Sequence, residues 1–254
     1  MTSAPSAPAR ALPSVDDLAR NLETVRERIA AATRRARRDP AEVTLVAVSK
    51  TVPLDYLRLS EGIVGLADLG ENRVQEAAPK IEGLSRALTW HLIGRLQSNK
   101  ARAAVGLFEL IHSVDSLDLA AAIDRHAGGA GKRQRVLFQV NVSGEGSKGG
   151  FAPGALRAAA RDLGTLPNLR PEGLMTIAPL GAGNGELREV FGTLRALHDK
   201  LAPAFPGSAW RHLSMGMTDD YELAVEEGAT LIRVGRALFG QRPPAPTARS
   251  EGTE

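Results

Sequence analysis

The sequence predicts a single α/β domain of the (β/α)8 barrel type, preceded by one extra helix. Three observations carry this. Eight strand-like runs alternate with seven helix-like stretches, the pattern of a parallel sheet. The length of 254 residues fits one such barrel without remainder. No glycine-rich dinucleotide fingerprint follows the first strand run, which counts against an open Rossmann sheet.

Residues 1–13 are rich in Ala, Pro and Ser and lack an apolar stretch, so they are expected to be a disordered tail and not a signal peptide. Ser14 caps a long amphipathic helix with Asp17 in its first turn, and Val15, Leu18, Leu22, Val25 and Ile29 recur at helical spacing. The helix should run to about Arg38, where Asp39 and Pro40 stop it. The cluster Arg34, Arg35, Arg37 and Arg38 reads as a solvated end suited to the negative pole of the helix dipole. Strands are expected at 43–48, 65–69, 89–93, 109–113, 136–142, 173–177, 210–214 and 230–234. Helices are expected near 54–62, 73–87, 98–105, 116–127, 153–163, 187–201 and 219–227. Gly62, Gly128, Gly164 and Gly228 stand where helix C-termini would call for a left-handed residue. Asp219 and Asp220 open the last of these helices at its positive pole. Residues 14–242 make the barrel domain, and 243–254 read as a second disordered tail.

The composition narrows the function classes. With no cysteine, disulfides, thiol nucleophiles and thiolate metal sites are excluded. A net charge of +3 and few aromatics give no case for nucleic acid. No apolar run approaches the ~20 residues of a membrane span. The expected location is the cytoplasm.

Lys50 is the residue that points to chemistry. It closes the apolar run from Val43 to Ser49, and an ammonium there is costly without a partner or a task. Burial lowers a lysine's pKa, and a neutral amine is the form that condenses with an aldehyde. Two glycine turns near the C-terminus, Ser214-Met215-Gly216-Met217 and Arg233-Val234-Gly235-Arg236, follow the seventh and eighth strand runs. Barrel enzymes often hold phosphate there, where glycine lets backbone N–H groups approach an anion. Lys50 is therefore read as a Schiff-base lysine and the turns as a phosphate cradle. Arg233 faces the barrel's inside and needs a partner: either a pyridine nitrogen, which it would keep unprotonated, or a neighbouring carboxylate. His91, His112 and His212 each fall on a strand, but no His-x-His or His-Glu-x-x-His pair appears, so they read as packed histidines and no metal is expected. Met175, Met215 and Met217 read as packing, although Met215 and Met217 could flank a ring.

Several segments resemble the pyridoxal phosphate homeostasis protein family. They are 46–51, 70–76, 90–100, 111–116, 213–220 and 232–240, in order along the chain. The resemblance implies a barrel like the N-terminal domain of alanine racemase (fold type III), with pyridoxal 5′-phosphate on Lys50. It also implies phosphate contacts from Ser214, Gly216, Gly235 and position 236, a ring-nitrogen contact from Arg233, and Asn72 nearby. Members of the family are usually monomers that bind, store and deliver the cofactor, in transient contact with apo-enzymes and without established turnover. Position 236 is commonly threonine in the family and is Arg236 here.

Two enzyme readings compete at the same site. An amino-acid racemase would need a catalytic tyrosine from a second domain, for which the chain has no room, and Tyr56 and Tyr221 fall on helical stretches. A class I aldolase would use Lys50 and the same turns on a sugar-phosphate ketone, without colour. A metal hydrolase built on the three histidines is the remotest alternative.

Overall fold

The computed structural model of the protein describes residues 12–63, 65–146 and 148–240. Eight parallel strands close into a barrel in sequence order, β1 (Thr44–Val48), β2 (Asp68–Glu71), β3 (Thr89–Leu92), β4 (Leu110–Val114), β5 (Gln134–Gln139), β6 (Leu169–Met175), β7 (His212–Ser214) and β8 (Leu231–Val234). The seam is the β1–β8 pair, where Ala47 lies opposite Val234. Crossover helices α2 (Leu54–Ser60), α3 (Val74–Gly83), α4 (Ala101–Leu107), α5 (Leu117–Gly129), α6 (Pro153–Gly164), α7 (Asn184–Leu201) and α8 (Tyr221–Glu226) surround it. The extra helix α1 (Val15–Arg35) precedes them and α9 (Arg236–Phe239) closes the chain. The barrel predicted from the sequence is the one observed.

Strand alternation divides the side chains into two shells. Outward residues pack with the helices into the main core, which takes in Leu69, Trp90, Leu92, Ile111, Phe138, Leu174 and Ile232. Inward residues form a small apolar cluster of Val46, Leu110, Leu137, Met175 and Leu231. The rest of the interior is polar, with His91, His112, Glu172, His212, Ser214 and Arg233 all buried.

α1 is capped as its sequence predicts, with Ser14 Oγ accepting from the Asp17 amide at 3.1 Å. Its apolar stripe, Leu18, Leu22, Val25 and Ile29, is buried. The helix ends at Arg35, before the expected stop, because Arg37 turns left-handed at φ 55. Two of the four arginines are more than a solvated end. Arg35 pairs with Glu222 and Glu226 of α8, and Arg38 donates to the carbonyls of Val225 and Ala229, while Arg34 and Arg37 are exposed. Arg28, earlier in the helix, also pairs with Glu222.

Several expected boundaries move. β2 begins at Asp68 rather than Gly65, because Gly65 and Leu66 still belong to a turn closed by the Leu66 amide on the Ile63 carbonyl. β6 starts at Leu169 despite Pro171 and Gly173, which argue against a strand. Irregular pairing with β5 absorbs the proline, and a Cβ on Gly173 would lie 1.9 Å from the His212 carbonyl oxygen. Of the four helix-end glycines, Gly228 is left-handed, while Gly128 and Gly164 lie within α5 and α6 and Gly62 has no positive φ. The left-handed turn after α5 falls instead at Gly131.

Leu12 packs on the main core, so order reaches into the segment expected to be a tail. Residues 1–11 of that tail and residues 241–254 lie outside the described residues. Among the described residues no helix is long and apolar enough to cross a membrane.

Candidate functional site

The candidate residues converge at the C-terminal ends of the strands. β1 ends at Val48, Ser49 donates its amide to the Gly70 carbonyl at 3.0 Å, and half-buried Lys50 begins the turn. Thr51 continues it at φ 65, a strained angle for a β-branched residue. Val48 lies opposite Gly70 and Ala47 opposite Val234. The turn that holds Lys50 therefore lies on the barrel rim between the turn after β2, which carries Asn72, and the turn after β8, which carries Gly235.

The two glycine turns are both at this face. Gly216 sits at φ +90, and a Cβ there would come within 2.6 Å of Ala224 Cβ and 2.9 Å of Tyr221 Cα, so only glycine fits. Its carbonyl accepts from the Arg233 amide, which ties the first turn to β8. The Met215 amide donates to the Leu231 carbonyl and the Met217 amide to Asp220 Oδ1 at 2.5 Å, so neither is open to an anion. Met215 is buried and Met217 exposed. Gly235 precedes α9, whose first amides have no carbonyl within the helix to bond. Arg236 is exposed and its guanidinium pairs with Asp219, a strap from the second turn to the first.

Arg233 is the buried cation of the site, 4 % exposed. It donates from Nη1 to Ser214 Oγ at 2.6 Å and from Nη2 to the Thr176 carbonyl at 2.8 Å. Burial lowers its pKa to about 10, against a pull upward from Asp220. Burial in turn raises Asp220 above the usual carboxylate value. Of the two partners the sequence left open for Arg233, a bonded carboxylate is not what the structure shows; a hydroxyl and a carbonyl hold it. Ser214 also departs from expectation. Its side chain is fully buried inside the barrel and lies 2.8 Å from His112 Nδ1, engaged inward rather than toward the mouth.

A buried ion pair lies beneath the lysine. Lys80 of α3 donates to Glu71 Oε1 at 2.6 Å and to the Ser49 carbonyl at 2.8 Å, and Ser49 Oγ donates to the same carboxylate oxygen at 2.7 Å. Three residues next to or below the site are thus locked together. Sequence reasoning missed this pair. The usable signal was a glutamate ending an apolar strand, with a lysine at helical spacing on the next element.

The histidines serve hydrogen bonding. His91 Nδ1 and His112 Nε2 are 2.9 Å apart, and His212 Nδ1 meets Thr230 Oγ1 at 3.1 Å. Burial keeps His112 well below the usual imidazole value and His212 near about 4, so both are neutral at pH 7. Among the described residues no group of three or more His, Asp or Glu is placed to hold a metal. A cavity of about 850 Å³ opens between the loops after β2, β3 and β4, lined by Asn72, Arg73, Arg95, Gln97, Lys100 and Asp115; of the candidate residues only Asn72 lines it.

Residues 16–243 match the family described as alanine racemase, N-terminal domain. The chain is 44% identical over 222 residues to the pyridoxal phosphate homeostasis protein of Aquifex aeolicus, covering 87% of this chain and 96% of that one. The chain belongs to the pyridoxal phosphate homeostasis protein family. The Escherichia coli member is 39% identical over 238 residues, with 90% and 98% coverage. Among solved structures, PipY of Synechococcus elongatus with pyridoxal phosphate bound shows 42% identity and a TM-score of 0.78, over 88% of this chain and all of PipY. An alanine racemase of Clostridium difficile 630 shares the barrel at 17% identity and a TM-score of 0.69, covering 91% of this chain and 58% of the racemase. That last likeness shows the fold alone.

Proposed function

We propose that this protein binds pyridoxal 5′-phosphate through Lys50 and serves intracellular homeostasis of the cofactor, storing and delivering it without turnover. The observation that carries the reading is the seam of the barrel. There the turn after β1, with Lys50, and the turn after β8, with Gly235, are neighbours on the rim, and β8 carries a buried arginine that can only donate, which supports the reading.

The donor set fits the cofactor. When bound, the cofactor would supply an aldehyde that the Lys50 amine could capture as a Schiff base, with loss of water, giving a species that absorbs visible light. The first amides of α9, and the backbone of the Gly216 turn where no side chain intrudes, would hold the phosphate. Of the turn's hydroxyls, half-buried Thr218 is the one near the surface, and Ser214 serves the cofactor through Arg233. Arg233, which can only donate, would leave a ring nitrogen unprotonated and so weaken the ring as an electron sink, which suits a carrier better than a catalyst. Asn72, Met215 and Met217 would border the ring. Arg236 contributes its backbone amide while Asp219 holds its side chain.

The racemase alternative needs a second base. Tyr56 lies in α2 and Tyr221 in α8, and both hydroxyls are buried without a hydrogen-bond partner, which supports a site without a tyrosine base. A cytoplasmic monomer meeting apo-enzymes transiently completes the reading.

The test is the visible spectrum of the reconstituted protein before and after borohydride, followed by peptide mass spectrometry. A reduced adduct on Lys50, and its loss in Lys50→Ala, is the expected result. An adduct elsewhere, or an unchanged spectrum in that variant, overturns the assignment. Exchange of the alanine α-proton in D2O tests for turnover, and none is expected.

A further inference from the structure

We propose that Asp68, His91, His112 and Ser214 form one directed hydrogen-bond chain through the barrel interior, whose role is to position Arg233 for a ring nitrogen. The inference rests on the reading of the site given above and concerns residues that do not touch the cofactor.

The chain climbs the barrel from one end to the other. Asp68, the first residue of β2, places Oδ1 3.0 Å from His91 Nε2. His91 Nδ1 is 2.9 Å from His112 Nε2, and His112 Nδ1 is 2.8 Å from Ser214 Oγ. Arg233 Nη1 donates to that same oxygen at 2.6 Å. Every intermediate residue is buried, from 3 % exposure at His91 to none at His112 and Ser214.

Each end dictates a direction, and the two agree. A carboxylate only accepts, so His91 carries its hydrogen on Nε2, which leaves Nδ1 as acceptor in the neutral ring. His112 must then donate from Nε2 and accept at Nδ1. Ser214 supplies that hydrogen from its hydroxyl and keeps its lone pairs for Arg233, which can only donate. The chain runs from Arg233 to Asp68 with each donor used once.

The opposite arrangement makes His91 a cation and has His112 donate to Ser214. The serine oxygen would then accept twice, and its own hydrogen would be left without an acceptor among its bonded partners. Such a group costs free energy in a buried interior. It would also put a second cation in a barrel interior that already holds Arg233. Burial, with His91 and Arg233 adding to it, holds His112 well below the usual imidazole value, in keeping with the neutral chain.

Two of the guanidinium's nitrogens are thereby fixed, one by Ser214 and one by the Thr176 carbonyl. Its plane is set before any ligand arrives, so less ordering is lost on binding. The serine's hydrogen points away from the mouth and is not free to meet a phosphate.

The first test uses the cofactor-free protein labelled with 15N. Long-range 1H–15N spectra at neutral pH should show His91 and His112 neutral with the hydrogen on Nε2 in both. A cationic ring, or a hydrogen on Nδ1 of either, overturns the chain. The second test compares S214A and H112F in binding pyridoxal 5′-phosphate and its 1-deaza analogue, which lacks the ring nitrogen. Loss of the oriented contact should weaken the natural cofactor roughly tenfold and leave the analogue nearly unchanged. Equal weakening of both, or no change in either, overturns the positioning role. If either variant fails to fold, the spectra of the unsubstituted protein still decide the chain. Absence of a borohydride-fixed adduct on Lys50 in that protein would instead defeat the site reading, a separate outcome from the tautomers.

Discussion

Gly216 shows how a single residue holds the site open. At φ +90, with Ala224 and Tyr221 pressed against the missing Cβ, Gly216→Ala should cost about 1–3 kcal/mol in thermal or denaturant unfolding. It should also weaken cofactor retention, because the turn feeds the Gly216 carbonyl to the Arg233 amide. The Lys80–Glu71 pair makes a second residue-scale case. Lys80→Met leaves a fully buried carboxylate with one serine for company and should destabilise the protein by about 3–5 kcal/mol in denaturant unfolding. An unchanged unfolding midpoint would show that the pair is idle. Lys50 was legible in the sequence because it ends an apolar run, and Gly216 and Gly235 because glycine after a strand marks a turn. The partners of Arg233 were not legible. Ser214 and Thr176, and His112 that bonds Ser214 in turn, come from three different strands or their ends, and only barrel closure brings them together.

Among the elements, α1 was the easiest to read, since its apolar spacing and serine cap are both local signals. It docks on α8 and α9 through the buried stripe, and Leu22→Ala should cost about 2–5 kcal/mol by denaturant unfolding. The ion pairs from Arg28, Arg35 and Arg188 to Glu222, Glu226 and Glu227 are exposed on the arginine side. Screening should make them minor, so Glu222→Gln is expected to leave the melting temperature nearly unchanged in moderate salt. β2 and β6 were harder. A four-residue strand with a central glycine, and a strand carrying Pro171 and Gly173, have little pattern of their own; their neighbours in the barrel define them.

At the scale of the whole molecule, a partly polar barrel interior links stability to acidity. His212 is held near about 4 against an ordinary 6.5, and His112 is depressed in the same direction. Below the ordinary value the unfolded chain takes up protons that the folded interior refuses. Stability is therefore full above about 6.5 and should fall as the pH drops toward about 4, a trend visible in melting temperatures across that range. His212→Gln should flatten the decline. Barrel closure has a consequence for timing as well. Lys50 follows the first strand and Gly235 the last, and their turns become neighbours only when β8 zips against β1. During synthesis, therefore, no cofactor-ready protein exists until nearly every codon has been read. Ribosome-bound chains stalled before β8 should be colourless however much vitamin B6 surrounds them.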